Sequence, residues 1–95
     1  MPYTIDELKH IIAPIASEYG VDRVYLFGSY ARGTASEKSD VDIKIVKGRV
    51  RSLFQLSGFR LAVEDALGIP VDLVTSEASD RKFLNEVEKD EVLLY

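Results

Sequence analysis

Apolar residues follow two different spacings along the chain, one typical of helices and the other typical of strands. The first helical pattern covers residues 5–19, begins after Thr4 and ends at Gly20. Thr4 and Glu7 have the spacing of a capping box, and a glycine commonly ends a helix in the left-handed conformation. We therefore predict a first helix over residues 5–19, bent by Pro14.

A second helical pattern covers residues 53–67 and ends at Gly68. Ser52 and Gln55 repeat the capping-box spacing at its start. At about 100° per residue its apolar positions share one arc, and the residues of this predicted buried stripe are Leu53, Leu56, Phe59, Val63, Ala66 and Leu67. Phe54 and Leu61 lie on the other side, where they either pack under the C-terminal tail or form an exposed patch for another subunit.

Three shorter segments, 21–27, 41–46 and 70–75, have the composition of strands. A helix of about one turn follows the first, and a last helix runs from about Ser79 to Asp90. The side chains of that last helix expected to face inward are Phe83, Leu84 and Val87. The order is α-β-α-β-α-β-α with a possible short C-terminal strand. We predict an α/β fold in which residues 1–95 form one domain, a small mixed sheet flanked by helices.

Composition excludes several kinds of protein and of site. The 95 residues are 46% hydrophobic and 29% charged, a balance that supports a packed core. The absence of cysteine excludes thiolate zinc sites and cysteine nucleophiles, and the single histidine leaves little for imidazole ligation. No apolar run approaches the roughly 20 residues that span a bilayer, and no signal-peptide pattern is present. We expect a cytoplasmic protein without membrane contact.

Charge is unevenly distributed. The net charge of −4 argues against bulk binding of nucleic acid. Residues 44–51 nevertheless hold a basic cluster without an acidic residue, formed by Lys44, Lys47, Arg49 and Arg51. The basic cluster is either a solvated turn or a surface that attracts a triphosphate or an acidic partner.

Three aspartates interrupt the strand patterns. Asp40 and Asp42 share one face of the second strand, about 7 Å apart at the backbone. Asp72 interrupts the third strand and joins them if the two strands are neighbours. Carboxylates this close repel one another unless a cation lies between them, and oxygen ligands select Mg²⁺ or Mn²⁺. Three carboxylates with two such ions are typical of phosphoryl and nucleotidyl transfer, whereas the alternative is a solvated strand edge.

Gly28 and Ser29 end the first strand and supply the second half of a candidate site. Glycine lets the backbone approach a ligand closely, and amides at the start of the following helix favour an anion. Ser29 adds a hydroxyl donor, although it could serve only as a helix cap. These residues and the three aspartates together indicate a cradle for a metal-bound triphosphate.

The string from Gly28-Ser29 to Asp40-Val41-Asp42 resembles the signature of the nucleotidyltransferase superfamily typified by DNA polymerase β. The longer string 26–43, with Val71-Asp72-Leu73-Val74 later, resembles its minimal nucleotidyltransferase branch over nearly the whole chain. By chance a Gly-Ser-x10-Asp-x-Asp string arises on the order of once in 10⁵ starting positions. The match is therefore specific.

The resemblance implies a site residue by residue. Gly28 and Ser29 would bind a nucleoside triphosphate, Asp40 and Asp42 would bind metal, and Asp72 would be a third ligand or the base. Family members of this size resemble antitoxins encoded beside a helical HEPN protein, and some transfer AMP to a tyrosine of that partner.

Two cations near these residues have open roles. Lys44 departs from the family pattern, which is apolar at that position; it either contacts a phosphate or partly neutralises Asp42. Arg32 either reaches the triphosphate or pairs with Glu37.

The sequence and the resemblance lead to one hypothesis and two rivals. The first is a metal-dependent transferase that moves AMP from ATP to a hydroxyl of a HEPN-type partner, as its antitoxin, in a homo- or hetero-oligomer. The second is a scaffold that neutralises its partner by binding alone, with Lys44 marking lost catalysis. The third, nucleic-acid polymerisation, is disfavoured because 95 residues leave no room for a template-binding domain.

Overall fold

The computed structural model describes residues 2–77 and 80–95. The helices and strands follow the predicted order and include the short terminal strand. They are α1 (Ile5–Tyr19), β1 (Arg23–Phe27), α2 (Gly28–Arg32), β2 (Val41–Val46), α3 (Leu53–Leu67), β3 (Val71–Thr75), α4 (Arg81–Asp90) and β4 (Val92–Leu93).

The four strands form one mixed sheet in the order β3-β2-β1-β4. β2 and β3 are parallel, with α3 as their connection, while β1 is antiparallel to both β2 and β4. The predicted α/β fold with a small mixed sheet is thus confirmed.

Alternation along the strands gives the sheet two different faces. One face carries the fully buried side chains of β1 and β2, which join α1 and α3 in the hydrophobic core. Those strand residues are Val24, Leu26, Val41, Ile43 and Ile45. Helix α4 covers part of the opposite face, because Phe83 packs edge-on against Phe27 with ring centroids 6.1 Å apart. Polar chemistry is therefore confined to the face that α4 flanks.

Both predicted helix starts have a hydroxyl cap, but only the first is a reciprocal box. The Glu7 amide donates to Thr4 Oγ1 at 3.1 Å, and the Thr4 amide donates to Glu7 Oε1 at 2.8 Å. At α3 the Gln55 amide donates to Ser52 Oγ at 3.2 Å, whereas Gln55 Oε1 accepts from the amide of Arg51. In a capping box Gln55 Oε1 would accept from the amide of Ser52. The prediction of a second capping box is wrong in that one bond.

The predicted buried stripe of α3 is wrong at two positions. Leu53 is 81% exposed and Ala66 is exposed, while Phe59, Val63 and Leu67 are buried. Leu53 lies in the first turn of the helix, before the point where α3 reaches the core. A helical wheel gives the direction of a side chain and not where along the helix packing begins.

Phe54 and Leu61 are 92% and 50% exposed, so they do not pack under the C-terminal tail. That tail instead pairs with β1, and Leu94 is fully buried.

The last helix begins with Asp80 as its cap, which accepts the amide of Phe83 at 3.1 Å. The predicted start at Ser79 lies outside the described residues. Val87 is buried and Leu84 half-buried, as expected, whereas Phe83 keeps 39% of its surface exposed. Within 2–77 and 80–95, no helix is long and apolar enough to cross a membrane.

Candidate active site

Gly28 brings the turn after β1 directly against Asp42. Its φ of 74° lies in the left-handed region, where glycine is favoured. A Cβ at this position would lie 3.1 Å from Asp42 Cγ and would collide with the carboxylate oxygen. Gly28 therefore lets the backbone of the Gly-Ser turn approach a carboxylate more closely than any other residue would allow.

Asp42 and Asp72 are exact register partners on the parallel strands β2 and β3. On its other side Asp42 lies opposite Phe27, the last residue of β1. The side chains of Asp42 and Asp72 therefore lie side by side, and the charge of Asp72 acts directly on the Asp42 carboxyl group. The neighbouring-strand arrangement that the sequence left conditional is thus present, and it forms a row across the sheet of two carboxylates and one aromatic ring.

The carboxyl group of Asp42 resists ionisation. Burial is the first cause that raises its pKa, from 3.8 to about 6, and the Asp72 charge and hydrogen bond and the Asp40 charge add to it. Arg32 acts in the opposite direction and lowers the pKa. Three acidic groups thus share one field, and a cation would relieve the repulsion between them.

Asp40 precedes β2 and is exposed. A turn fixes the loop before it, since the Ser36 amide donates to Ser39 Oγ at 2.9 Å and the Ser39 amide donates to the Ser36 carbonyl at 3.0 Å. Asp40 is therefore held near Asp42 but remains open to solvent.

The donor set fits a hard divalent cation completed by substrate oxygens. Among the described residues, no group of three or more acidic, histidine or cysteine side chains is arranged to hold a metal ion by itself. Mg²⁺ is usually bound by one or two carboxylates plus substrate phosphates rather than by a closed protein cage. The adjacent carboxylates of Asp42 and Asp72, with Asp40 close by, match that mode of binding.

Arg32 ends α2 and forms an ion pair that the sequence did not indicate. Its Nη1 lies 3.4 Å from Oδ2 of Asp90, the last residue of α4, and both side chains are well exposed. Gly28, Arg32 and Asp90 also line a cavity of about 240 Å³, together with Phe27, Phe83, Glu86 and Val87. The cavity is continuous with the Gly-Ser turn, so the space between α2 and α4 belongs to the same site.

Lys44 lies on the carboxylate face, as predicted, but its ammonium is paired with another residue. Lys44 Nζ lies 2.6 Å from Oε2 of Glu91 and 4.8 Å above the ring of Tyr25. Only 6% of Lys44 is exposed. The basic cluster is accordingly divided, since Lys44 is buried and Lys47 pairs with Glu77 at 3.2 Å.

A comparison with known protein families identifies the family to which this chain belongs. The family described as polymerase beta nucleotidyltransferase matches residues 9–95. The chain belongs to this family. The resemblance that Gly28-Ser29 and the three aspartates indicated is therefore confirmed.

Relatives of this nucleotidyltransferase cover most of its length. A Methanocaldococcus jannaschii protein assigned as a protein adenylyltransferase is 42% identical over 75% of this chain and 76% of its own. The protein adenylyltransferase MntA of Thermococcus cleftensis is 37% identical over 75% of this chain and 76% of its own.

Solved structures show the same fold. One assigned as a minimal nucleotidyltransferase superposes with a TM-score of 0.80 and 28% identity, covering 95% of both chains. A chain from the tri-AMPylated Shewanella oneidensis HEPN toxin in complex with MNT antitoxin gives a TM-score of 0.74 at 19% identity. That match covers 97% of this chain and 72% of the other. At 19% identity it shows a shared fold and nothing further.

Sequence reasoning missed three residues that shape the site of this nucleotidyltransferase. Asp90 and Glu91, the partners of Arg32 and Lys44, lie at the junction of α4 and β4, far from them in sequence. A lysine on a half-covered strand face signals that a counter-charge is needed, but not which acidic residue supplies it. Phe27, which lies opposite Asp42, was read only as part of a strand.

Proposed function

We propose that this nucleotidyltransferase moves AMP from ATP to a hydroxyl of a HEPN-type partner protein and thereby acts as its antitoxin. The observation that carries the proposal is the contact of Gly28 with Asp42, which joins the Gly-Ser turn to the Asp42–Asp72 pair. The names of the adenylyltransferase relatives and the HEPN complex of the similar fold support the choice of nucleotide and acceptor.

The triphosphate would lie along the Gly28-Ser29 turn, bound by its amides and by the Ser29 hydroxyl. A Mg²⁺ or Mn²⁺ ion held by Asp42, Asp72 and Asp40 would neutralise the negative charge of phosphates and carboxylates when bound. Arg32, at the end of α2, is placed to add a donor to the phosphate oxygens.

The nucleoside would occupy the cavity between α2 and α4. Phe27 and Phe83 give it an aromatic wall, and Glu86 and Asp90 present only hydrogen-bond acceptors when ionised. An adenine ring has a stacking face for the wall and an exocyclic amine for an acceptor. The cavity thus suits the base of ATP.

In the chemical step the acceptor oxygen attacks the α-phosphorus, and the bond from that phosphorus to the bridging oxygen breaks, releasing pyrophosphate. Asp72 would take the proton of the acceptor hydroxyl, because it is the more exposed of the two neighbouring carboxylates. Asp42 lies against Gly28 and would act on the phosphates through the divalent cation that it helps to hold, rather than take the proton.

The experiment that tests the proposal incubates the protein with ATP, Mg²⁺ and the HEPN-type protein proposed as its partner. Intact-mass measurement of the HEPN protein should show the addition of AMP. Asp42→Asn should abolish the addition, while Asp65→Asn, an exposed acidic residue on α3, should leave it unchanged. Unmodified HEPN protein that is still bound and inhibited would instead support a scaffold. Lys44 does not favour that alternative, because Glu91 already balances its charge.

A further inference from the structure

A buried ion pair lies next to the candidate metal ligands and is not explained by nucleotide binding. Lys44 follows Asp42 by two positions on β2, so the two side chains leave the same face about 7 Å apart at the backbone. The Lys44 ammonium nevertheless contacts Glu91 at 2.6 Å and lies over the ring of Tyr25. The side chain of Lys44 is 7% exposed and that of Glu91 20% exposed.

A lysine at this position could take another partner. Its four-carbon stem is flexible, and an ammonium is a compact charge that readily pairs with a carboxylate within reach. Asp42 is such a carboxylate, on the same face and one row of the sheet away. An ammonium on Asp42 would occupy the position that a divalent cation needs.

The fold fixes Glu91 where it competes for that ammonium. Glu91 directly follows α4 as its C-terminal cap, and the next residue, Val92, pairs with Leu26 in the sheet. Backbone pairing on one side and the helix on the other therefore set its position, and Tyr25 forms a floor under the ammonium. The Glu91 carboxylate lies on the side of Lys44 that faces away from β3. Asp72 is on β3, and so on the opposite side of Lys44.

We propose that Glu91 is a positioning residue that holds the Lys44 ammonium away from Asp42 and so keeps the carboxylate pair available to a divalent cation. The proposal rests on the metal-dependent function proposed above. It assigns a role to Lys44, a buried cation on the same face as the candidate metal ligands. Lys44 is retained as part of a neutral pair, and its charge does not act on the site.

The test measures binding of Mn²⁺ alone to the full chain by electron paramagnetic resonance, without nucleotide or partner. Glu91→Gln should weaken Mn²⁺ binding at least 5-fold, because the released ammonium moves toward Asp42. Lys44→Met should bind Mn²⁺ at least as tightly as wild type. In the Lys44→Met background, adding Glu91→Gln should change the affinity less than 2-fold. Glu88→Gln, an exposed carboxylate on the same helix, is the matched control and should have no effect.

Three results would overturn the proposal: no Mn²⁺ binding by the wild type, unchanged Mn²⁺ affinity in Glu91→Gln, or an equal loss in both backgrounds. Equal losses would mean that Glu91 acts through its own charge and not through Lys44. Removing one partner of a buried pair is strongly destabilising, and circular dichroism identifies the case in which Glu91→Gln is unfolded. In that case the Mn²⁺ affinity of Lys44→Met is compared with that of the double variant Lys44→Met/Glu91→Gln. A 5-fold difference between these two affinities contradicts the proposal. Mn²⁺ binding needs no AMP transfer, so failure of the proposed function would leave this result standing.

Discussion

Asp42 and Asp72 are register partners on the parallel strands β2 and β3, and Gly28 lies against the Asp42 carboxylate. Folding therefore places two acidic groups in contact, although their repulsion opposes it. The arrangement is stabilised by whatever reduces that repulsion: a proton, a cation or a neutral substitution.

The first prediction concerns pH. Burial and the neighbouring aspartates raise the pKa of Asp42 to about 6, above the 3.8 of a free aspartate. Between about pH 4 and pH 6 the folded protein binds more protons than the unfolded chain, so the free energy of unfolding falls as pH rises. Without divalent cation, Asp42→Asn should raise that free energy by roughly 1 kcal/mol at pH 8, since solvent screens part of the effect.

The measurement is urea denaturation of both proteins at pH 4.5 and pH 8, in EDTA. The gain should be much smaller at the lower pH, where Asp42 is protonated in the folded wild type. Asp65→Asn serves as the exposed control. A variant that is less stable than wild type at pH 8 would show that the carboxylates do not repel each other.

The second prediction concerns the Gly-Ser turn. Gly28→Ala adds a Cβ that collides with Asp42 in a backbone conformation that alanine rarely adopts. Gly33 has nearly the same φ, 75°, but a Cβ there meets nothing within 4 Å. Gly33→Ala should cost about 1 kcal/mol for backbone strain alone, and Gly28→Ala roughly 1 to 3 kcal/mol more.

Chemical denaturation compares the two stabilities, and calorimetry with ATP and Mg²⁺ compares binding. We expect ATP binding to be lost in Gly28→Ala and kept in Gly33→Ala. Equal costs in the two variants would mean that the close approach to Asp42 has no energetic consequence.

The third prediction tests the nucleoside cavity. Phe83→Ala removes one side of the aromatic wall, and loss of stacking should weaken ATP binding roughly 10-fold. Inorganic tripolyphosphate, which has no base, should bind Phe83→Ala within about 2-fold of wild type in the same calorimetric titration.

Phe54→Ala is the matched control, because Phe54 is 92% exposed on α3, away from this cavity. If Phe83→Ala weakened tripolyphosphate as much as ATP, the cavity would not be the base site.

The fourth prediction separates the two roles of Arg32. Its ion pair with Asp90 is exposed, so Arg32→Ala and Asp90→Asn should each change stability by less than about 0.5 kcal/mol. ATP binding should separate them: Arg32→Ala should weaken it, whereas Asp90→Asn frees the guanidinium and should leave it equal or tighter. Equal weakening in both variants would assign the effect to the pair and not to a phosphate contact.

The sequence allowed half of the site to be predicted, because that half depends on local spacing. Strand alternation predicts that Asp40 and Asp42 share a face, and in the structure Asp42 is on β2 while Asp40 directly precedes the strand. A glycine at a strand end indicates a tight turn. The contact between Asp42 and Asp72 depended on β2 and β3 being neighbours, which the sequence could state only as a condition.

The rest of the site depends on long-range packing. Glu91 reaches Lys44 only because the C-terminal tail pairs with β1 and places the end of α4 over the sheet. No local pattern encodes that pairing. The prediction that Leu53 is buried was wrong for a related reason. Leu53 lies on the expected side of the helical wheel, but contact of α3 with the core begins one turn later.

We propose that Gly28, Asp42 and Asp72 form the centre that transfers AMP to a partner. The most direct measurement incubates the protein and its HEPN partner with ATP labelled either at the α- or at the γ-phosphate, and follows label on the partner. We expect transfer of the α-label alone, lost in Asp42→Asn and Asp72→Asn and unchanged in Asp65→Asn. Label on the partner from γ-labelled ATP, or α-label at the wild-type rate in the two aspartate variants, would contradict it.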